Sequence, residues 1–404
     1  MPQKKFFMRT GFNFLFVLLL LAVFQCGQSE QLKPDQDEGN INQISKNSLE
    51  ELSLALENKM KEYQIPGLSI TVVKGDEILM SKGLGWTDLE KRISVTETTV
   101  FPIGSSSKPL TATLVSMLVS DGTLDWDDPV TKYLPYFHLK IKSNNPEDQV
   151  TIRDLLSHRT GFFHMELIQK AINWGQDPDW DLKSDPIRTS REALLKAAAA
   201  FEPKDNFRTR NNYSNISMVA AAEASGKAAG QEWDALMQKR VFEPLGMTNT
   251  TTSITQIKDS HNLAKGYLKG KDDCLPAMLL NMDVVSPAGG INSCARDMAN
   301  FLRLLLNGGV YKGKHLIEKA EIEEMWTTQI EGALIPGSSY GLGWFIRSWN
   351  GYRIVEHAGN SLGYTANIAI IPELGIGYVM MSNIMPTPIL ETINETVWET
   401  LGLK

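Results

Sequence analysis

Ser105, Lys108, Tyr213 and His357 are the residues of this chain whose types and spacing could carry chemistry. Ser105 and Lys108 bound a Ser-Ser-Ser-Lys run that opens a long apolar segment. If that segment is a helix, residues three apart share a face, with Cβ atoms roughly 5–6 Å apart. Ser105 then lies at a helix N-terminus, where backbone amides and the helix dipole favour developing negative charge. A lysine held against apolar walls loses its proton more readily, because burial disfavours the charged amine. Acyl transfer by serine needs an activated hydroxyl, a proton acceptor beside it and donors for the oxyanion. Taken alone, the same run could be a serine-rich helix cap with a solvated lysine.

Two further patterns follow in order: Tyr213-Ser214-Asn215 and His357-Ala358-Gly359. Neither they nor the Ser-x-x-Lys pattern recurs in the chain. Placed near Lys108, the Tyr213 phenol would be pushed towards phenolate, which makes it a second candidate base. Whether Lys108 or Tyr213 is the working base stays open at this level. Asn215 would present its amide to a substrate or hold Lys108. His357 ends a predicted strand over residues 353–356, and Gly359 would let a ligand approach the backbone closely. A mostly neutral imidazole offers less fixed positive charge than a lysine. In isolation, Tyr213 and Asn215 could equally be a loop tyrosine and a turn asparagine.

The elements that must position these groups are spread over 404 residues, 42% apolar and 22% charged, as in an ordinary globular protein. A net charge of −7 with no basic stripe argues against a nucleic-acid partner. Residues 1–25 read as a signal peptide: Lys4, Lys5 and Arg9 precede an unbroken apolar run over 14–24. That run is too short to cross a bilayer core of roughly 30 Å. Cys26 follows in a setting similar to a relaxed lipobox, so the expectation is an exported protein anchored through lipid on Cys26. The alternative is an export signal with an incidental cysteine. Of the other cysteines, Cys274 and Cys294 could pair in an oxidising compartment, although Cys294 reads as a small buried thiol. No CxxC and no paired-histidine spacing indicates a metal site.

Residues 26–47 are polar and read as a flexible tether. A helical pattern starts at Ser48, and two alternating runs, 68–73 and 78–80, flank a hairpin turn at Gly75-Asp76. Helices are predicted over 108–120, 152–157, 191–200 and 216–229, with residues 162–185 as an insertion over the site. Strands return over 340–346, 352–355, 364–371 and 375–382, before a last helix over 388–401. The fold class expected is α+β. Residues 48–102 and 285–404 would form an antiparallel sheet flanked by helices, and residues 103–284 an inserted, mainly helical domain. Asp125, Asp127 and Asp128 read as turn and capping groups beside Pro129, and His158 and Arg159 as loop anchors. Trp174, Trp180 and Trp344 read as packing. Gly289-Gly290 lacks the setting of a phosphate loop.

With its intervening sequence, the chain resembles the serine β-lactamase and penicillin-binding protein family. The similarity is to the branch holding class C β-lactamases, D-alanyl-D-alanine carboxypeptidases and related esterases. Ile65-Pro66-Gly67, the stretches 122–130 and 155–161, Pro244-Leu245-Gly246-Met247, Pro287-Ala288-Gly289-Gly290 and Tyr340-Gly341-Leu342-Gly343-Trp344 carry it beside the three motifs. It spans about residues 48–404. The resemblance implies the β-lactamase/transpeptidase-like fold and acylation of Ser105. It implies an oxyanion hole from the amides of Ser105 and Asn360, and needs no metal or organic cofactor. Efficient β-lactamases of this branch carry Lys-Thr-Gly where this chain has His357-Ala358-Gly359. The expected activity is therefore on small esters or D-amino-acid peptides and amides. The alternatives are a class C-like β-lactamase and a non-catalytic lipoprotein using the fold for binding.

Overall fold

The computed structural model describes residues 44–172, 186–271, 273–387 and 392–403. The expected signal peptide, Cys26, nearly all of the tether, Trp174 and Trp180 lie outside these residues. So do residues 173–185 of the expected insertion, whose earlier part includes a helix, Met165–Ala171. Among the described residues no helix is long and apolar enough to cross a membrane.

Helix α1 (Lys46–Tyr63) leads into β1 (Gly67–Lys74) and β2 (Glu77–Asp88), which pair antiparallel across the expected Gly75-Asp76 turn. Edge strand β3 (Ile93–Ser94) follows. After the central helices the sheet resumes with β4 (Ile330–Glu331), β5 (Ser339–Tyr340), β6 (Phe345–Trp349), β7 (Tyr352–Ser361), β8 (Tyr364–Ile371) and β9 (Ile376–Ser382). Their order is β4-β5-β6-β7-β8-β9-β1-β2-β3, so the last long strand pairs with the first and strands from both chain ends close one sheet. The expected α+β class holds.

The two faces of this sheet are buried differently. Side chains alternate along a strand, and in β9 Ile376, Tyr378 and Met380 join one apolar cluster while Val379 and Met381 join another. The first cluster holds Leu52 and Leu56 of α1 with Val397 and Trp398 of the C-terminal helix Asn394–Thr400. The second runs through helix Ala295–Leu306 into the helices of the middle of the chain. There α2 (Ser107–Ser120) has residues 107–118 all buried, so this helix is the axis of the helical region. Helices α3 (Ile152–Leu156), α4 (Arg191–Ala199) and α5 (Asn215–Ala229) lie close to the expected spans.

Two expected strands differ. Residues 340–346 are not one strand: β5 and β6 pair Tyr340 with Phe345, and residues 341–344 make the turn between them. Gly343 supplies the positive φ of 79° that the turn needs, and the burial of Leu342 and Trp344 gives the turn a strand-like apolar pattern. Strand β7 does not stop at Glu356. It continues through His357, Ala358 and Gly359 to Ser361, paired with β8 throughout.

Candidate active site

Ser105 occupies a single 3-10 turn, Gly104–Ser106, that runs directly into α2. Its amide lies at the start of a helical segment, where backbone donors lack intrahelical partners. Lys108, one turn on, is fully buried, and its Nζ lies 3.0 Å from Ser105 Oγ and 2.7 Å from the Ala288 carbonyl oxygen. Ala288 belongs to the short helix Ser286–Gly289, whose Pro287 carbonyl accepts a bond from Thr111 Oγ1. Burial holds the Lys108 amine well below its ordinary pKa. Asn215 is absent from its partners, contrary to one expectation. The Asn215 Oδ1 is buried without a hydrogen-bond partner among the described residues.

Tyr213 precedes α5, whose N-cap Ser214 accepts from Ser217 N–H. Its ring lies 4.6 Å from Lys108 Nζ. Burial pushes the phenol up, and the Ser105 hydroxyl beside it lowers it only in part. The expected drift towards phenolate is thus reversed: loss of solvent, which disfavours a buried phenolate, is the largest influence on Tyr213. A neutral amine beside a neutral phenol avoids burying two charges.

His357 in β7 is buried, with Nδ1 2.7 Å from the Ala358 carbonyl. Its Nε2 faces Tyr340 Oη at 3.0 Å and Tyr213 Oη at 3.4 Å. Burial, with Lys108 nearby, holds the imidazole well below its ordinary pKa. Gly359 makes the closest approach in the site, though to the protein rather than to a ligand. A Cβ there would meet Ile103 O at 1.9 Å and Ser106 N at 2.7 Å. Ser106 Oγ completes the latch by donating to the His357 carbonyl at 2.9 Å. Asn360 is exposed beside this contact, and a Cβ on Gly104 (φ 52°) would meet its amide nitrogen at 2.6 Å. The structure therefore brings Ser105, Lys108, Tyr213, His357, Gly359 and Asn360 into one neighbourhood.

Two participants were not singled out from sequence. Ala288 and Tyr340 lie inside motifs that carried the resemblance. His158 anchors a loop as expected, but the loop is that of Tyr213. Its carbonyl accepts from Asn212 N–H at 2.7 Å and its Nδ1 from Ser214 N–H at 3.3 Å, and its ring packs 4.6 Å from that of Tyr213. The remaining structural assignments that fall on described residues stand. Asp125, Asp127 and Asp128 serve turn amides, Lys132 and Arg153. Trp344 is buried packing. Cys274 and Cys294 are both free, and Cys294 is buried. No cluster of metal-ligating side chains occurs among the described residues.

Residues 52–401 match the family described as Beta-lactamase, and the chain belongs to that family of hydrolases. It is 29% identical over 337 residues to Unguisins hydrolase ungD' of Aspergillus campestris, covering 80% of this chain and 59% of that one. The chain spans less than two thirds of the length of the curated relatives it matches first. An octameric penicillin-binding protein homologue from Pyrococcus abyssi superposes with a TM-score of 0.70 at 27% identity, over 88% of this chain and 77% of that one. A D-stereospecific amidohydrolase from Streptomyces sp. superposes at 0.71 and 23% identity, over 86% and 97%, which is a likeness of fold.

Proposed function

We propose that this protein is an exported serine hydrolase that forms an acyl-enzyme on Ser105, acting on small esters or on D-amino-acid peptides and amides. The observation that carries the reading is a buried Lys108 amine, depressed in pKa, 3.0 Å from Ser105 Oγ. Lys108 accepts the Ser105 proton as Oγ attacks the substrate carbonyl. The oxyanion is held by the amides of Ser105 and Asn360. Tyr213, with its proton held tightly, serves as donor to the leaving group rather than as the base, and is reprotonated from Lys108. Water then attacks the acyl carbonyl with Lys108 again as acceptor, the acyl–Oγ bond breaks, and Lys108 returns the proton to Ser105 Oγ. Asn215 orients the substrate through its carboxamide. The D-amino-acid preference draws on the D-stereospecific amidohydrolase whose fold this chain shares. We also propose that lipid on Cys26 holds the enzyme at a membrane.

Burial disfavours the charged forms of Lys108 and His357, which counts against either serving as the cation for a β-lactam carboxylate. Purified protein is expected to hydrolyse p-nitrophenyl esters or a D-alanine amide faster than nitrocefin, with all turnover lost in Ser105→Ala. Nitrocefin turnover outpacing both would overturn the substrate assignment in favour of a class C-like β-lactamase.

A further inference from the structure

Tyr340 sits in β5, fully buried, 17 residues before His357 in sequence. The turn over 341–344 fixes it there: Gly341 N–H donates to Trp344 O at 2.8 Å and Gly343 N–H to Leu156 O at 3.1 Å. A Cβ on Gly343 would press on Ala112 Cβ at 2.9 Å and Lys108 O at 3.1 Å. The turn that sets Tyr340 therefore rests on the helix that carries Lys108. Around the phenol stand Phe345 and His158, with ring centroids 4.7 and 4.9 Å away.

The hydrogen bonding of His357 gives this phenol a task. A carbonyl only accepts, so the proton of the neutral imidazole is on Nδ1, facing Ala358 O at 2.7 Å. Nε2 then offers one lone pair, and two phenols compete for it. Tyr340 Oη is at 3.0 Å and Tyr213 Oη at 3.4 Å, the latter at the outer limit for such a bond. Among the described residues the Tyr340 hydroxyl has no other hydrogen-bond partner, whereas Tyr213 also has the Ser105 hydroxyl beside it. We propose that Tyr340 is a positioning residue: by occupying the single acceptor of His357, its hydroxyl leaves that of Tyr213 to serve Ser105 and the leaving group. Without it, Tyr213 would turn its proton to His357 and away from the reacting atoms. The catalytic part of this inference rests on the acyl-enzyme reading; the hydrogen-bond part does not.

The test compares Tyr340→Phe with Tyr213→Phe in protein labelled with 15N-histidine. The His357 signals are identified by their loss in His357→Gln. The Nε2 resonance is expected to move in Tyr340→Phe and to stay nearly in place in Tyr213→Phe, with Nδ1 protonated in both. Hydrolysis of a p-nitrophenyl ester by Tyr340→Phe should show kcat lowered about tenfold at nearly unchanged KM, the worth of one hydrogen bond felt in the transition state. An Nε2 resonance that moves in Tyr213→Phe but not in Tyr340→Phe overturns the assignment. A resonance that moves as expected with undiminished kcat overturns the positioning role. If the wild-type protein turns over no ester or amide, the acyl-enzyme reading fails, while the resonance comparison still decides which phenol holds His357. Tyr340→Phe keeps the ring that packs against Phe345, so the variant is expected to melt close to the wild-type temperature.

Discussion

At Ser105 and Lys108, sequence spacing carries over into geometry almost unchanged, because three residues along one helical turn share a face. The state of the groups is set by burial, which three-residue spacing does not report. Lys108 is lowered and Tyr213 raised for the same reason, loss of solvent, since each is driven towards its neutral form. This settles a pH dependence. A base must be unprotonated, so kcat/KM should fall as pH drops through the Lys108 pKa, and the acid limb should lie well below the ordinary lysine value of 10.5. Arginine cannot supply a neutral nitrogen, so Lys108→Arg should lose about a hundredfold or more in kcat. An acid limb near the ordinary lysine value, or a Lys108→Arg enzyme near wild-type rate, would exclude Lys108 as the base. The contributions of Ala288 and Tyr340 were not legible, and His158 was legible as a loop anchor but not as the anchor of the Tyr213 loop. Each acts through a contact made between distant parts of the chain, such as the 180 residues separating Lys108 from Ala288.

Among the elements, the first hairpin, the helices of the middle segment and the strands β8 and β9 follow from alternation, turn residues and helical runs. The errors fell where burial erases the alternation. Leu342 and Trp344 are buried in a turn, so that turn reads as strand. His357 and Gly359 read as the end of a strand because glycine weakens the pattern, yet β7 runs past both. The glycine is required by a neighbouring element. Strand β7 and the turn Gly104–Ser106 touch backbone to backbone, which holds the Asn360 amide, one of the two proposed oxyanion donors, beside the turn of the nucleophile. An added methyl in Gly359→Ala meets Ile103 O at 1.9 Å and has to push the two elements apart. The expected cost is about 1–3 kcal/mol of stability together with a loss of about tenfold or more in kcat, since small displacements of reacting groups are expensive. Denaturant melts and ester kinetics on the variant read both. A variant with wild-type stability and rate would mean that this contact does not set the site.

For the molecule as a whole, nucleophile and sheet come from distant parts of the chain. Strands β1 and β9 pair residues more than 300 apart, such as Leu68 with Ser382, and the helical segment carrying Ser105, Lys108 and Tyr213 is packed on one face of the sheet they close. The other face is covered by α1 and the C-terminal helix, so the site lies on the helical side and the terminal helices serve stability. Sequence made this layout legible because strand patterns at both ends surrounded a helix-rich middle. It gave no view of how closely β7 approaches the turn Gly104–Ser106, and the proposed chemistry depends on that approach. The central claim is that the assembled site acylates Ser105. Intact-protein mass spectrometry after exposure to a fluorophosphonate tests it, with wild type and Ser105→Ala side by side. The account predicts one covalent adduct on the wild type and none on the variant. No adduct on the wild type, or an equal adduct on both, would contradict it and leave the fold as a binding module.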